Sequence, residues 1–185
     1  MKSDLIASIL WRRIDTPGHD ACWLTQHSSG YAVSGTAVFK HDERVASLHY
    51  CLLCDHDWQT IEAHITGRIG DETIDRSIRR SGSKWEMNGE LISGLDECID
   101  LDLGFTPATN LVQLRRLNLQ IGESATYTVA WLDDVSFELR PLVQHYERRS
   151  ETSYWYESPS TGYQALLEVN SDGFITSYPE LWQGE

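Results

Sequence analysis

The sequence predicts a mainly β protein folded as one domain over residues 1–185. Three observations carry that prediction. Apolar and polar residues alternate with period two along much of the chain, turn-forming pairs punctuate those runs, and one short segment combines helical spacing with a helix-start signal.

The elements follow in chain order. Residues 4–10 satisfy two templates: Leu5, Ile6, Ile9 and Leu10 have helical spacing, and a strand running through Trp11 fits equally. Residues 58–69 place Ile61, Ala63, Ile65 and Ile69 on one face, with Glu62, His64, Thr66 and Arg68 on the other. Residues 72–80 are polar on both faces and are assigned to a sheet edge, where charge discourages edge-to-edge pairing. Asn88-Gly89 after Trp85-Glu86-Met87 suits a tight hairpin. Alternation returns at 125–131 (Tyr127, Val129 and Trp131 against Thr126 and Thr128), at 135–140 (Val135, Phe137 and Leu139) and at 163–169 (Tyr163, Ala165, Leu167 and Val169). Ser158-Pro159-Ser160-Thr161-Gly162 and Asp172-Gly173 separate the late strands. About ten to twelve short strands result.

One helix is expected. Thr106 is its N-cap and Pro107 fits the first helical position, after which Leu111, Leu114 and Leu117 form an apolar stripe. No linker, repeat or low-complexity tract interrupts the chain.

Composition narrows the function classes. The formal charge is −13, from 28 acidic and 15 basic side chains, so the basic footprint that phosphate backbones require is missing and nucleic acid is not an expected partner. No apolar run is long enough for a membrane span. The opening residues 1–13 hold Asp4 and Ser8 and end in Arg12-Arg13, which is not the pattern of a signal peptide, and a cytoplasmic location is expected. Cys22, Cys51, Cys54 and Cys98 are too sparse for a disulfide scaffold and are expected to be reduced.

Three constellations could carry chemistry. The first is an acidic strand, with Asp96, Cys98, Asp100 and Asp102 on one face, followed by Arg115 and Arg116 on the helix. Carboxylates near a guanidinium form bidentate ion pairs, so this group is either a structural clamp or a polar site for sugar hydroxyls or a ligand anion. A general acid/base pair is the third reading. The second constellation is His49, Cys51, Cys54 and His56. On a strand the two thiols point to opposite faces, so no metal site is expected, and no cofactor is implied. The third is the aromatic content, 7 Trp, 8 Tyr and 4 Phe, which either fills a core or lines an apolar cavity. Motifs for hydrolase nucleophiles, zinc proteases, nucleotides and dinucleotides do not occur.

Four stretches resemble the glycolipid-binding family, formerly a bacterial domain of unknown function. They are Trp11-Arg12-Arg13-Ile14-Asp15, residues 98–110 followed by Leu114-Arg115-Arg116-Leu117, residues 141–148, and residues 172–182. The family usually has Leu-Pro-Ile-Arg-Arg where this chain has Val112-Gln113-Leu114-Arg115-Arg116, and without the proline a continuous helix through residue 113 is easier. The resemblance implies a lipoprotein-carrier-like fold: a large, curved antiparallel sheet, a half-barrel or open barrel, with one or two short helices. It implies a non-enzymatic binding protein for an amphipathic ligand such as a glycolipid. Tails would pack on inward residues such as Tyr127, Val129, Trp131, Phe137 and Leu139, and the head would be oriented by Asp100, Asp102, Arg115 or Arg116. The rivals are an enzyme using Asp100 and Asp102, and an interaction module with a filled core. Either a monomer or a dimer fits the sequence.

Overall fold

The alternation read from the sequence becomes one continuous sheet. The computed structural model describes residues 4–185, and its fifteen strands hydrogen-bond into a single sheet. The first group is β1 (Asp4–Arg13), β2 (Gly18–His27), β3 (Gly30–His41), β4 (Arg44–Cys54), β5 (Thr60–Ile69), β6 (Glu72–Ser81), β7 (Lys84–Met87) and β8 (Glu90–Ile92). Then come β9 (Leu101–Leu103), the helix α1 (Ala108–Leu117), β10 (Ser124–Leu132), β11 (Leu139–Arg148), β12 (Ser153–Ser158), β13 (Tyr163–Val169), β14 (Ile175–Tyr178) and β15 (Trp182–Gly184). The two templates at residues 4–10 resolve to strand. Residues 1–3, the start of the N-terminal segment considered for a signal peptide, lie outside the described residues.

Two meanders meet at the centre. The order runs from β8 down to β1, then from β15 down to β9, so the first and last strands pair, with Trp11 opposite Gly184. The terminal strands β8 and β9 do not pair with each other, and the sheet stays open. All neighbours are antiparallel except β9 and β10. Parallel neighbours need a crossover, and α1 supplies it. The helix runs unbroken through Gln113.

The structure corrects four details. Fifteen strands exceed the expected ten to twelve, because short pieces such as β8, β9 and β15 carry only three residues each. β6 is not an edge: it pairs with both β5 and β7 and turns Ile74 and Ile78 fully inward. A register shift between Leu53 and Cys54 lies in the β4–β5 pair, so Thr60 is buried and Ile61 is exposed, against the simple alternation. Residues 133–137 form a turn rather than a strand. The Asp133 carboxylate accepts the Val135 N–H at 2.8 Å and the Ser136 hydroxyl at 3.2 Å, and Phe137 sits at φ +54°. Local side-chain bonding of this kind competes with the sheet ladder. Val135 consequently faces solvent while Phe137 stays buried.

The concave face is occupied. The segment 95–105 and the first two turns of α1 lie in one apolar cluster with Trp11, Leu24, Leu48, Leu52, Ile65 and Trp85. Every residue from Ala108 to Leu114 is buried, which is the environment of a helix enclosed on all sides. Trp85 is fully buried in this cluster, its indole N–H donating to the Cys98 carbonyl at 3.1 Å. Trp85→Phe is expected to lower stability by about 1–3 kcal/mol, since it strands that carbonyl in the core. Urea unfolding would measure it, and an unchanged midpoint would show that the bond is dispensable. A second cluster, rich in tyrosine, lies against α1 from β11 to β14.

Candidate functional site

β9 is a short strand with both faces covered: Leu101, Asp102 and Leu103 are all buried. The acidic alternation expected from residue 96 onward therefore reduces to three residues of true strand, preceded by turns. Parallel pairing with β10 sets Asp102 opposite Trp131, and both line one cavity of 290 Å³.

Asp102 is held by neutral groups. Its Oδ1 accepts the Thr109 hydroxyl at 2.8 Å and its Oδ2 accepts the Gln144 amide at 2.6 Å. Burial pushes its carboxyl up, while Thr109, Gln144 and nearby Gln113 favour the ionised form. Around it the polar groups interlock. Asn110 donates to the Tyr146 hydroxyl at 2.6 Å, and Tyr146 and Tyr127 donate to Gln113 Oε1 at 3.0 and 3.2 Å. Gln113 Nε2 and Gln144 Oε1 close no hydrogen bond despite complete burial.

The cavity wall is mixed. Leu142, Leu181 and Trp182 give it an apolar side, and Asn110, Tyr156 and Ser158 a polar one. Ser158 is 2% exposed, and its hydroxyl lies within hydrogen-bonding reach of the Tyr156 hydroxyl, whose ionised form it favours. Tyr163, whose hydroxyl donates to the Pro179 carbonyl at 2.6 Å, has its pKa pushed up to about 12 by burial and by the nearby Glu180 charge.

The remaining residues singled out from the sequence fall elsewhere. Asp100 and Arg116 form a bidentate pair. Arg116 Nε reaches the two carboxylate oxygens at 2.8 and 2.9 Å, and Nη2 reaches Oδ2 at 2.6 Å. Asp100 is fully buried, and burial raises its carboxyl while Arg116 and Arg80 oppose the rise. Tyr127 places its ring 5.3 Å from the Arg116 guanidinium. The pair ties the last turn of α1 to the residue just before β9. Arg115 lies on another side of α1, in a separate polar hollow of 620 Å³, where it donates to the Asp172 carbonyl at 2.6 Å and lies 5.8 Å from the Trp58 ring. Phe137 stacks on Phe105 at 6.2 Å in the core. Of the expected set, Asp102 and Trp131 are thus brought together at the 290 Å³ cavity.

One buried group escaped sequence reasoning. Tyr50 donates to Asp20 Oδ2 at 2.9 Å, and Thr106 donates to the same oxygen while its own hydroxyl oxygen accepts the Ala108 N–H at 3.1 Å. The helix starts one residue later than expected: Pro107, not Thr106, is the N-cap and Ala108 the first helical residue, while Thr106 lies just before it and borders the cavity. Gly35 makes room for this arrangement: a Cβ there would sit 2.3 Å from the Tyr50 hydroxyl. Asp20 Oδ1 closes no bond, and burial lifts the carboxyl to about 6. The signal existed in the sequence, since Asp20 shares alternation parity with the buried Cys22 and Leu24.

A DUF1089 family protein from Pseudomonas aeruginosa, solved by crystallography, is similar to this chain at 25% identity. The match has a TM-score of 0.78 and covers 89% of this chain and 91% of that one. A comparison with the curated proteins found no match. No helix among the described residues is long and apolar enough to cross a membrane. The model of the family described as "Putative glycolipid-binding" matches residues 8–184, nearly the full length, and the chain belongs to that family.

Proposed function

We propose that the protein binds an amphipathic ligand, a glycolipid or close relative, with its polar head in the cavity beside Asp102. The observation that carries this reading is the Asp102 carboxylate, buried at the wall of a 290 Å³ cavity beside Trp131 and held by the uncharged Thr109 and Gln144. A sugar hydroxyl donates to its remaining lone pairs. Asp102 offers an acceptor, and Trp131 and Tyr156 offer flat apolar faces.

The volume limits what enters. Ligand pockets span about 300–1,000 Å³, so this one holds a head group and leaves the tail to extend from its mouth. The concave face expected to hold tails is taken by α1 and the segment before it. Asp100 is engaged by Arg116 outside the cavity, so the Asp100–Asp102 pair that the enzymatic reading needs does not come together there.

Native mass spectrometry of the purified protein, repeated after denaturation and extraction, tests the reading. A bound mass that leaves on unfolding and contains sugar and acyl components is the expected result. A bare protein mass that stays bare after incubation with alkyl glycosides would sink it. Trp131→Leu is expected to weaken affinity about five-fold, the equivalent of about 1 kcal/mol of aromatic contact. Fluorescence titration would read this change, and undiminished affinity would place the ligand elsewhere.

A further inference from the structure

The charge lining the cavity is lopsided. Three aspartates, Asp15, Asp102 and Asp134, face one arginine, Arg13. That arginine is already committed. It donates to Asp15 through Nε at 2.8 Å and Nη2 at 2.9 Å, and Nη2 lies 4.0 Å from Asp134. Its guanidinium also sits 4.8 Å from the Phe39 ring and 5.3 Å from the Trp182 ring. The bonds to Asp102 come from uncharged groups: Thr109 and Gln144 donate to its two oxygens, the arrangement of an acceptor-only carboxylate.

We propose that the cavity selects head groups without negative charge, neutral or amino sugars, and rejects phosphorylated, sulfated and uronic ones. This deepens the binding reading above and rests on it. The polar groups of the lining agree with the selection. Arg13 Nη1 is a buried donor without a partner, Ser158 Oγ can donate or accept, and Asp102, already accepting from Thr109 and Gln144, has only lone pairs to offer. The hydroxyls of a neutral sugar can donate and accept, so they suit each of these groups. An anion satisfies Arg13 but then faces Asp102 and Asp134 in the same cavity, where like charges repel. A protonated amine gains what the anion loses, because the carboxylates outnumber the guanidinium.

The test keeps the alkyl tail fixed and changes the head. Octyl β-glucoside, octyl glucuronide and the methyl ester of octyl glucuronide are titrated into the wild-type protein at pH 7.5, below their micelle thresholds, with tryptophan fluorescence as readout. The glucoside is expected to bind at least ten-fold tighter than the glucuronide, and the methyl ester to recover most of the difference. A glucuronide that binds as tightly as the glucoside overturns the charge selection while leaving the binding reading in place. A methyl ester as weak as the free acid also overturns it, because size rather than charge would then discriminate. Failure of all three to bind defeats the binding reading itself, and this inference falls with it.

Discussion

Arg116→Met is expected to destabilise the protein by about 3–5 kcal/mol, because it removes the one cation hydrogen-bonded to the fully buried Asp100 carboxylate and leaves only the more distant charge of Arg80. The geometry is why the effect is large. Three hydrogen bonds of 2.6–2.9 Å join the two side chains, and they tie the last turn of α1 to the residue just before β9. The Met side chain replaces much of the apolar stem, so the loss isolates the charge. Arg116→Lys should fall between, since an ammonium cannot reproduce the fork. The double variant Asp100→Leu/Arg116→Met should recover most of the stability, as buried pairs replaced by apolar residues often do. Urea unfolding at pH 7 measures all three. If Arg116→Met unfolds near the wild-type midpoint, the pair is not a clamp, and Arg116 returns as a candidate for ligand contact.

Asp20→Asn is expected to stabilise the protein above pH 6 and to lose that advantage in acid. Burial raises the Asp20 carboxyl from 3.8 to about 6, against donation from Thr106 and Tyr50. Its neighbours are uncharged: Trp11 and Ala37 flank it across the sheet, and Tyr50, Thr106 and Cys22 lie beside it. A carboxyl whose folded pKa lies above its unfolded value favours folding fully below pH 3.8, and that contribution is lost as pH rises to about 6. A rise of this size corresponds to about 3 kcal/mol at most. The variant should therefore gain about 2–3 kcal/mol over wild type at pH 7.5 and nothing near pH 3.5. Unfolding midpoints across that range decide it. A difference that does not change with pH would mean Asp20 does not titrate on folding.

The residues behind these two predictions were not equally legible in the chain. Asp100, Asp102, Arg115 and Arg116 stood out in the sequence through alternation and helix spacing. Their division of labour did not, because one-residue steps along α1 send Arg115 and Arg116 to different sides and only the packed structure says what waits there. Ser158 sits inside an expected turn signal and carries no mark of its own in the chain. Its interest comes from burial, which arises where β12 ends against β13 at the cavity wall.

The sequence by itself determined the β class, the hairpin at Asn88-Gly89, the presence of a helix just after Thr106-Pro107, and the alternating faces of β10 and β13. These follow from local sterics and from the two-residue period of the pleat, which neighbours along the chain already express. Only the tertiary structure decided that the concave face is filled by α1 and that β6 lies inside the sheet. It alone decided that residues 133–137 turn away from strand and that the sheet's two halves join through β1 and β15. The reason is distance along the chain. Trp11 meets Gly184, Thr106 meets Asp20, and Asp102 meets Gln144, contacts that link dozens of residues of separation and leave no periodic trace in either partner's neighbourhood.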